Sequence, residues 1–108
     1  MQCYQLDHMV GGWFVGDFEP TAYRTNACEV GIKSHRAKEP WPTHYHEQVT
    51  EITVLLEGQM RLNGTVFQSG DILVIPPLQV VSPTFLTACR MVVVKLPGLC
   101  GDKVVVAQ

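Results

Sequence analysis

His44-Tyr45-His46-Glu47-Gln48-Val49-Thr50-Glu51-Ile52-Thr53-Val54-Leu55-Leu56-Glu57-Gly58 is the stretch that decides how this chain is read. From Thr50 to Leu56 it is rich in β-branched and aliphatic residues, and a glycine closes it, which is the signature of a strand running into a turn. On a strand, residues two apart share a face, so His44 and His46 send both imidazoles to one side, separated by about 7 Å along the chain. Tyr45 then faces the other way, into packing. Glu51 comes five positions after His46, and a short turn or bulge through Glu47-Gln48 is needed to bring its carboxylate to the same side. Two imidazoles and one carboxylate on one face form a donor set for Fe(II), Mn, Ni, Co or Zn, with positions left open for water or substrate.

Working outward, tracts of the same kind recur at 13–18, 22–25, 27–36, 50–56, 59–62, 65–68, 72–75, 80–85, 88–96 and 104–106, separated by Gly, Pro, Asn or Asp. Glu57-Gly58, Asn63-Gly64 and Ser69-Gly70-Asp71 place glycine where tight reversals need positive φ, and Leu62-Asn63-Gly64-Thr65 is the clearest hairpin. No stretch of eleven residues keeps the apolar spacing of an amphipathic helix, so a helix of two turns is the most expected. Many short strands must close on themselves or form two facing sheets, because an open sheet leaves unpaired edges. The expectation is an all-β barrel or jelly roll, one domain over residues 1–108, with 39–42 as a rigid entry loop.

Composition removes several functional classes. Eight Lys and Arg against ten Asp and Glu give a net charge of −2. The densest basic group, Lys33, His35, Arg36 and Lys38, is diluted by Glu39, so nucleic acid is not an expected partner. Apolar runs such as 72–75 and 91–94 fall far short of the ~20 residues of a membrane helix, and the first ten residues lack the pattern of a signal peptide. A cytoplasmic protein is expected. Cys3, Cys28, Cys89 and Cys100 form no C-x-x-C element and read as reduced thiols, with Cys28 and Cys89 as small core residues.

The string H-x-H-x4-E-x6-G formed by His44, His46, Glu51 and Gly58 resembles the first motif of the cupin superfamily in its spacing. That motif normally opens with a glycine, where this chain has Lys38. The second motif, G-x5-P-x-G-x2-H-x3-N, is matched by Gly70 and Pro76, with Leu78, Val81 and Phe85 standing where Gly, His and Asn are usual. The two motifs lie at about 38–58 and 70–85, and the chain resembles small uncharacterised bacterial cupins. The resemblance implies a cupin double-stranded β-helix, a jelly-roll barrel in which His44, His46 and Glu51 are metal ligands. The third histidine ligand is replaced by Val81, which leaves a set similar to the 2-His-1-carboxylate triad.

The functional expectation is a divalent-metal-binding protein, a small metalloenzyme that isomerises, epimerises or eliminates a sugar or a hydroxy or keto acid by Lewis-acid catalysis. An Fe(II)-dependent oxygenase and a non-catalytic small-ligand barrel are the alternatives. Lys33 and His35 share strand parity with Glu29 and Gly31 and would stand near the metal if that face lined the barrel. Val30, Ile32 and Ser34, the more apolar side, are expected inward instead. Gln48 could extend the polar wall, and Arg61 could clamp a carboxylate or phosphate, although an exposed strand arginine is commoner. Trp41 is assigned to packing or a subunit contact rather than to gating a ligand. A homodimer is expected, with Trp13, Phe14 and Phe18 as its seam.

Overall fold

A computed structural model describes residues 1–107 of the chain. The first element is a single 3-10 turn, Leu6–His8, within the two-turn limit. Ten strands follow among the described residues: β1 (Trp13–Val15), β2 (Glu29–His35), β3 (His44–His46), β4 (Thr50–Glu57), β5 (Gln59–Leu62), β6 (Thr65–Gln68), β7 (Ile72–Ile75), β8 (Pro83–Phe85), β9 (Cys89–Leu96) and β10 (Lys103–Val105). The expected strand at 22–25 reduces to one bridge between Val15 and Tyr23. Here Arg24 turns outward to pair with Asp17 and Glu19 in solvent.

One sheet runs β1-β2-β9-β4-β7. Facing it are the hairpin sheet β6-β5-β8 and the pair β10-β3, joined where His44 bridges Val81 just before β8. The hairpin between β5 and β6 turns at Asn63 and Gly64, both at positive φ, as a two-residue reversal matching strand twist requires. Among the described residues no helix is long and apolar enough to cross a membrane.

Register explains how the interior is divided. Across the large sheet, Glu29, Lys95 and Glu51 lie side by side, then Gly31, Val93 and Thr53, then Lys33, Met91 and Leu55, then His35 and Cys89. One end is therefore polar, while Leu55, Met60, Phe85, Cys89, Met91 and Val93 fill the rest as an apolar core. All four cysteines are free thiols; Cys89 is buried and Cys28 half-buried.

Two expectations are corrected, the inward face of β2 and the place of Trp41. The inward face of β2 is Glu29, Gly31, Lys33 and His35, not Val30, Ile32 and Ser34. The apolar side of β2 is covered from outside, with Ile32 beside Tyr4, Leu6, Met9 and Phe14 of the N-terminal segment, so its hydrophobicity records that cover rather than the barrel interior. The N-terminal aromatics, half-buried in the single chain, make contacts within it: Trp13 lies over Gly31, Phe14 lies near Ile32, and the Phe18 ring sits against Gly16. Exposed apolar side chains include Ile72 and Val74 of β7, Val66 of β6 and Leu96 of β9. Trp41 is not merely packing, since it walls the internal cavity.

Candidate functional site

The polar end of the barrel opens into a cavity of about 100 Å³, large enough for several waters or a small metabolite. His44 and His46 reach it from β3, as their shared parity dictates, and both are buried. Glu51 reaches it from the second residue of β4. The intervening turn is held by Asp102, whose carboxylate accepts hydrogen bonds from the backbone N–H of Gln48 (3.1 Å) and Val49 (3.0 Å). That clamp brings Glu51 back beside His46, at 3.4 Å between Nε2 and Oε1.

Each donor has a distinct state. His44 Nδ1 donates to the carbonyl of Pro42 at 2.8 Å, which fixes the tautomer and leaves Nε2 with a free lone pair. Burial, opposed by that hydrogen bond and reinforced by the charge of Lys103, holds the His44 pKa below its ordinary value. Burial alone would raise the Glu51 carboxyl, but His46, the Thr53 hydroxyl donating at 2.9 Å and the charge of Lys95 together outweigh it and keep the group ionised more readily than usual. His46 is only 5% exposed; its Nε2 has the long 3.4 Å contact to Glu51, and among the described residues its Nδ1 has no hydrogen-bond partner. Buried polar atoms are normally paired, so one ring nitrogen without a partner and another with only a long contact leave this imidazole room for a partner outside the chain.

The motif resemblance implies a metal here, and the donors are chemically suited to one: an imidazole with a free lone pair, a second buried imidazole and an ionised carboxylate are adjacent. They are neighbours rather than a closed cage. The His44 and His46 ring centroids lie 5.5 Å apart at 82°, and among the described residues no three His, Cys, Asp or Glu side chains converge on one point. Val81 sits opposite His44, 3% exposed, so an apolar side chain fills the place where a third histidine would stand.

His35 also lines the cavity, stacked on Phe85 (4.1 Å between centroids) and edge-on to Trp41 (4.7 Å). Its Nδ1 pairs with Glu39 at 2.7 Å, and this contact, with the Arg36 backbone N–H, lowers the Glu39 pKa to about 2. Lys33 lines the cavity too, whereas Gln48 and Arg61 are exposed and lie outside it.

Lys95, Lys103, Trp13, Thr53 and Asp102 were not among the sequence candidates. The charges of Lys95 and Lys103 were visible as interruptions of apolar strands, and Lys95 shares parity with Cys89, Met91 and Val93. Nothing local marked Asp102 as the clamp, because its partners lie 53 and 54 residues away.

No family model matches the chain, and no curated protein matches it in sequence. Among solved structures it is similar to an uncharacterised protein with a double-stranded β-helix domain from Klebsiella pneumoniae, at 19% identity and a TM-score of 0.72, covering 99% of this chain and 93% of that one. A cupin-2 domain protein from Shewanella frigidimarina matches with a TM-score of 0.56 at 18% identity, over 67% of this chain and 72% of that one. The DMSP lyase DddQ from Ruegeria pomeroyi matches with a TM-score of 0.68 at 17% identity, over 86% of this chain and 49% of that one. These likenesses show the fold, a cupin-type double-stranded β-helix.

Proposed function

We propose that His44, His46 and Glu51 hold a divalent transition metal (Fe, Mn, Ni, Co or Zn) and that the protein is a small metalloenzyme acting on an oxygen-rich metabolite in the barrel. The observation that carries this reading is His46, buried with no well-formed hydrogen bond at either ring nitrogen and with Nε2 facing the Glu51 carboxylate at 3.4 Å. The resemblance to a lyase in fold is consistent with it. A bound metal would supply Lewis acidity, polarising a substrate carbonyl or acidifying a neighbouring C–H. The chain's own contribution is positional. Pro42 holds the His44 tautomer, Thr53 holds the Glu51 carboxylate, Asp102 holds the turn between them, and Val81, Phe85 and Met60 give the cavity apolar lining.

A second reading, a non-catalytic barrel that binds a small ligand through the same polar groups, is favoured by one observation: the three donors do not converge. Cobalt(II) titration of chelator-stripped protein separates the two. The metalloprotein reading expects visible d–d bands saturating at about one cobalt per chain, and their loss in His46→Ala. Absence of any saturable cobalt spectrum in the wild type favours the non-catalytic barrel.

A further inference from the structure

Three lysines, from three different strands, line the same small cavity: Lys33 of β2, Lys95 of β9 and Lys103 of β10. Lys103 is the register partner of His46, and Lys95 that of Glu51, so both side chains share the inward face with the metal-ligand candidates. Glu51 is the only carboxylate among the cavity-lining residues, leaving the lining with an excess of two positive charges if the histidines are neutral. Glu29 is the other register partner of Lys95, but its carboxylate lies outside the cavity and accepts from the Cys100 thiol.

Among the described residues none of the three ammonium groups forms an ion pair. Their contacts are with neutral groups. Lys33 and Lys95 lie 5.3 and 4.9 Å from the Trp13 ring centroid, Lys103 lies 4.6 Å from that of Trp41, and Lys33 also donates to the Gly11 carbonyl. Indole faces steer an ammonium group without neutralising it. Burial, followed by mutual repulsion, lowers the pKa of Lys33 and of Lys103, outweighing the opposing charges of Glu39 on Lys33 and of Glu51 on Lys103. Lysines of this kind are solvated singly on most surfaces; here three line one cavity beside a single carboxylate, Glu51, so two of their charges have no counter-anion among the described cavity-lining residues.

We propose that the cavity takes a small oxyanion, its carboxylate or phosphate group bound among Lys33, Lys95 and Lys103 and its body against Trp13 and Trp41. This deepens the proposed function by giving the charge of the metabolite. It rests on that reading for the cavity being a ligand site, while the lysines themselves require no metal. The volume restricts the ligand to a small acid.

The two tryptophans of the chain both line the cavity, so intrinsic fluorescence reports binding directly. Chelator-stripped protein is titrated with oxalate, glycolate, inorganic phosphate and neutral glycerol, then again after loading with zinc, in wild type, Lys95→Gln, Lys103→Gln and His44→Ala/His46→Ala. Circular dichroism melts confirm that each variant is folded, and Lys95→Arg serves as the charge-conserving variant. The expected result is saturable binding of at least one oxyanion and none of glycerol. Affinity falls at least tenfold in each Lys→Gln variant and is largely restored in Lys95→Arg. Comparing the carboxylates with phosphate identifies which acid group is held. Loss of zinc uptake in the double histidine variant with oxyanion binding intact would leave the lysine site standing apart from the metal. If stripped wild type takes up zinc but neither form binds an oxyanion, or if folded Lys→Gln variants bind as tightly as wild type, the lysine proposal is overturned while the metal reading survives.

Discussion

Replacing both Lys38 and Leu78 by glycine is expected to stabilise the protein. Lys38 has φ of 61° and Leu78 of 71°, so two residues with β-carbons occupy the left-handed region. They are also the two places where the cupin motifs have glycine. The backbone at both positions is one that glycine suits, and neither residue is glycine. Left-handed geometry costs an ordinary residue roughly 1–2 kcal/mol. Glycine gives back about 0.5–1 kcal/mol through the greater freedom of the unfolded chain. The net gain is about 0.5–1 kcal/mol at each site. Both side chains are exposed, so little apolar burial is lost. The Lys38 N–H donates to Phe85 and the Leu78 N–H to His46, partners that do not overlap, so the effects should add to about 1–2 kcal/mol. For a chain near this length that corresponds to a melting temperature higher by roughly 5–10 °C. Thermal unfolding followed by circular dichroism measures it, with Lys38→Ala and Leu78→Ala as controls that keep the β-carbon. A double glycine variant that melts no higher than the double alanine variant would refute the reasoning.

Asp102→Ala removes the acceptor of two backbone N–H groups in the turn before Glu51, and is expected to lower unfolding free energy in urea by about 2 kcal/mol, the range for hydrogen bonds to a charged group; an unchanged midpoint would contradict the clamp. Gly31→Ala would place a β-carbon 2.7 Å from the Trp13 ring, so the indole must move and tryptophan emission should shift without loss of fold. Glu39, with its pKa lowered to about 2 from 4.5 by His35, keeps its charge in the folded state after the unfolded chain has taken up a proton, so its contribution fades as pH falls between those values. The stability difference between wild type and Glu39→Gln should accordingly be full at pH 6 and shrink toward pH 2; a difference independent of pH would count against the His35–Glu39 pair.

Local chemistry made much of the fold legible. The strands β5, β6 and β7 fall at the expected residues because Asn63-Gly64 and Ser69-Gly70 mark their ends with the backbone conformations that turns demand. The H-x-H pair was readable because strand parity alone puts His44 and His46 on one face, and the structure brings Glu51 beside them. Long-range partners were not readable in the same way. The inward side of β2 depends on what covers its other side, and Ile32 is satisfied by the N-terminal segment, so apolar parity pointed the wrong way. Lys95 is adjacent to Glu51 only because β9 pairs with β4, a contact 44 residues distant in sequence. Trp41 lies in an irregular loop where no periodicity constrains its direction.

The central claim is that the polar end of the barrel is a metal site formed by His44, His46 and Glu51. Elemental analysis of untagged protein, beside the His44→Ala/His46→Ala variant, tests it most directly. About one transition metal per chain in the wild type and none in the variant is the predicted result, and the element found would separate Lewis-acid chemistry from that of iron. No metal in either protein, with none retained after reconstitution, would contradict the claim.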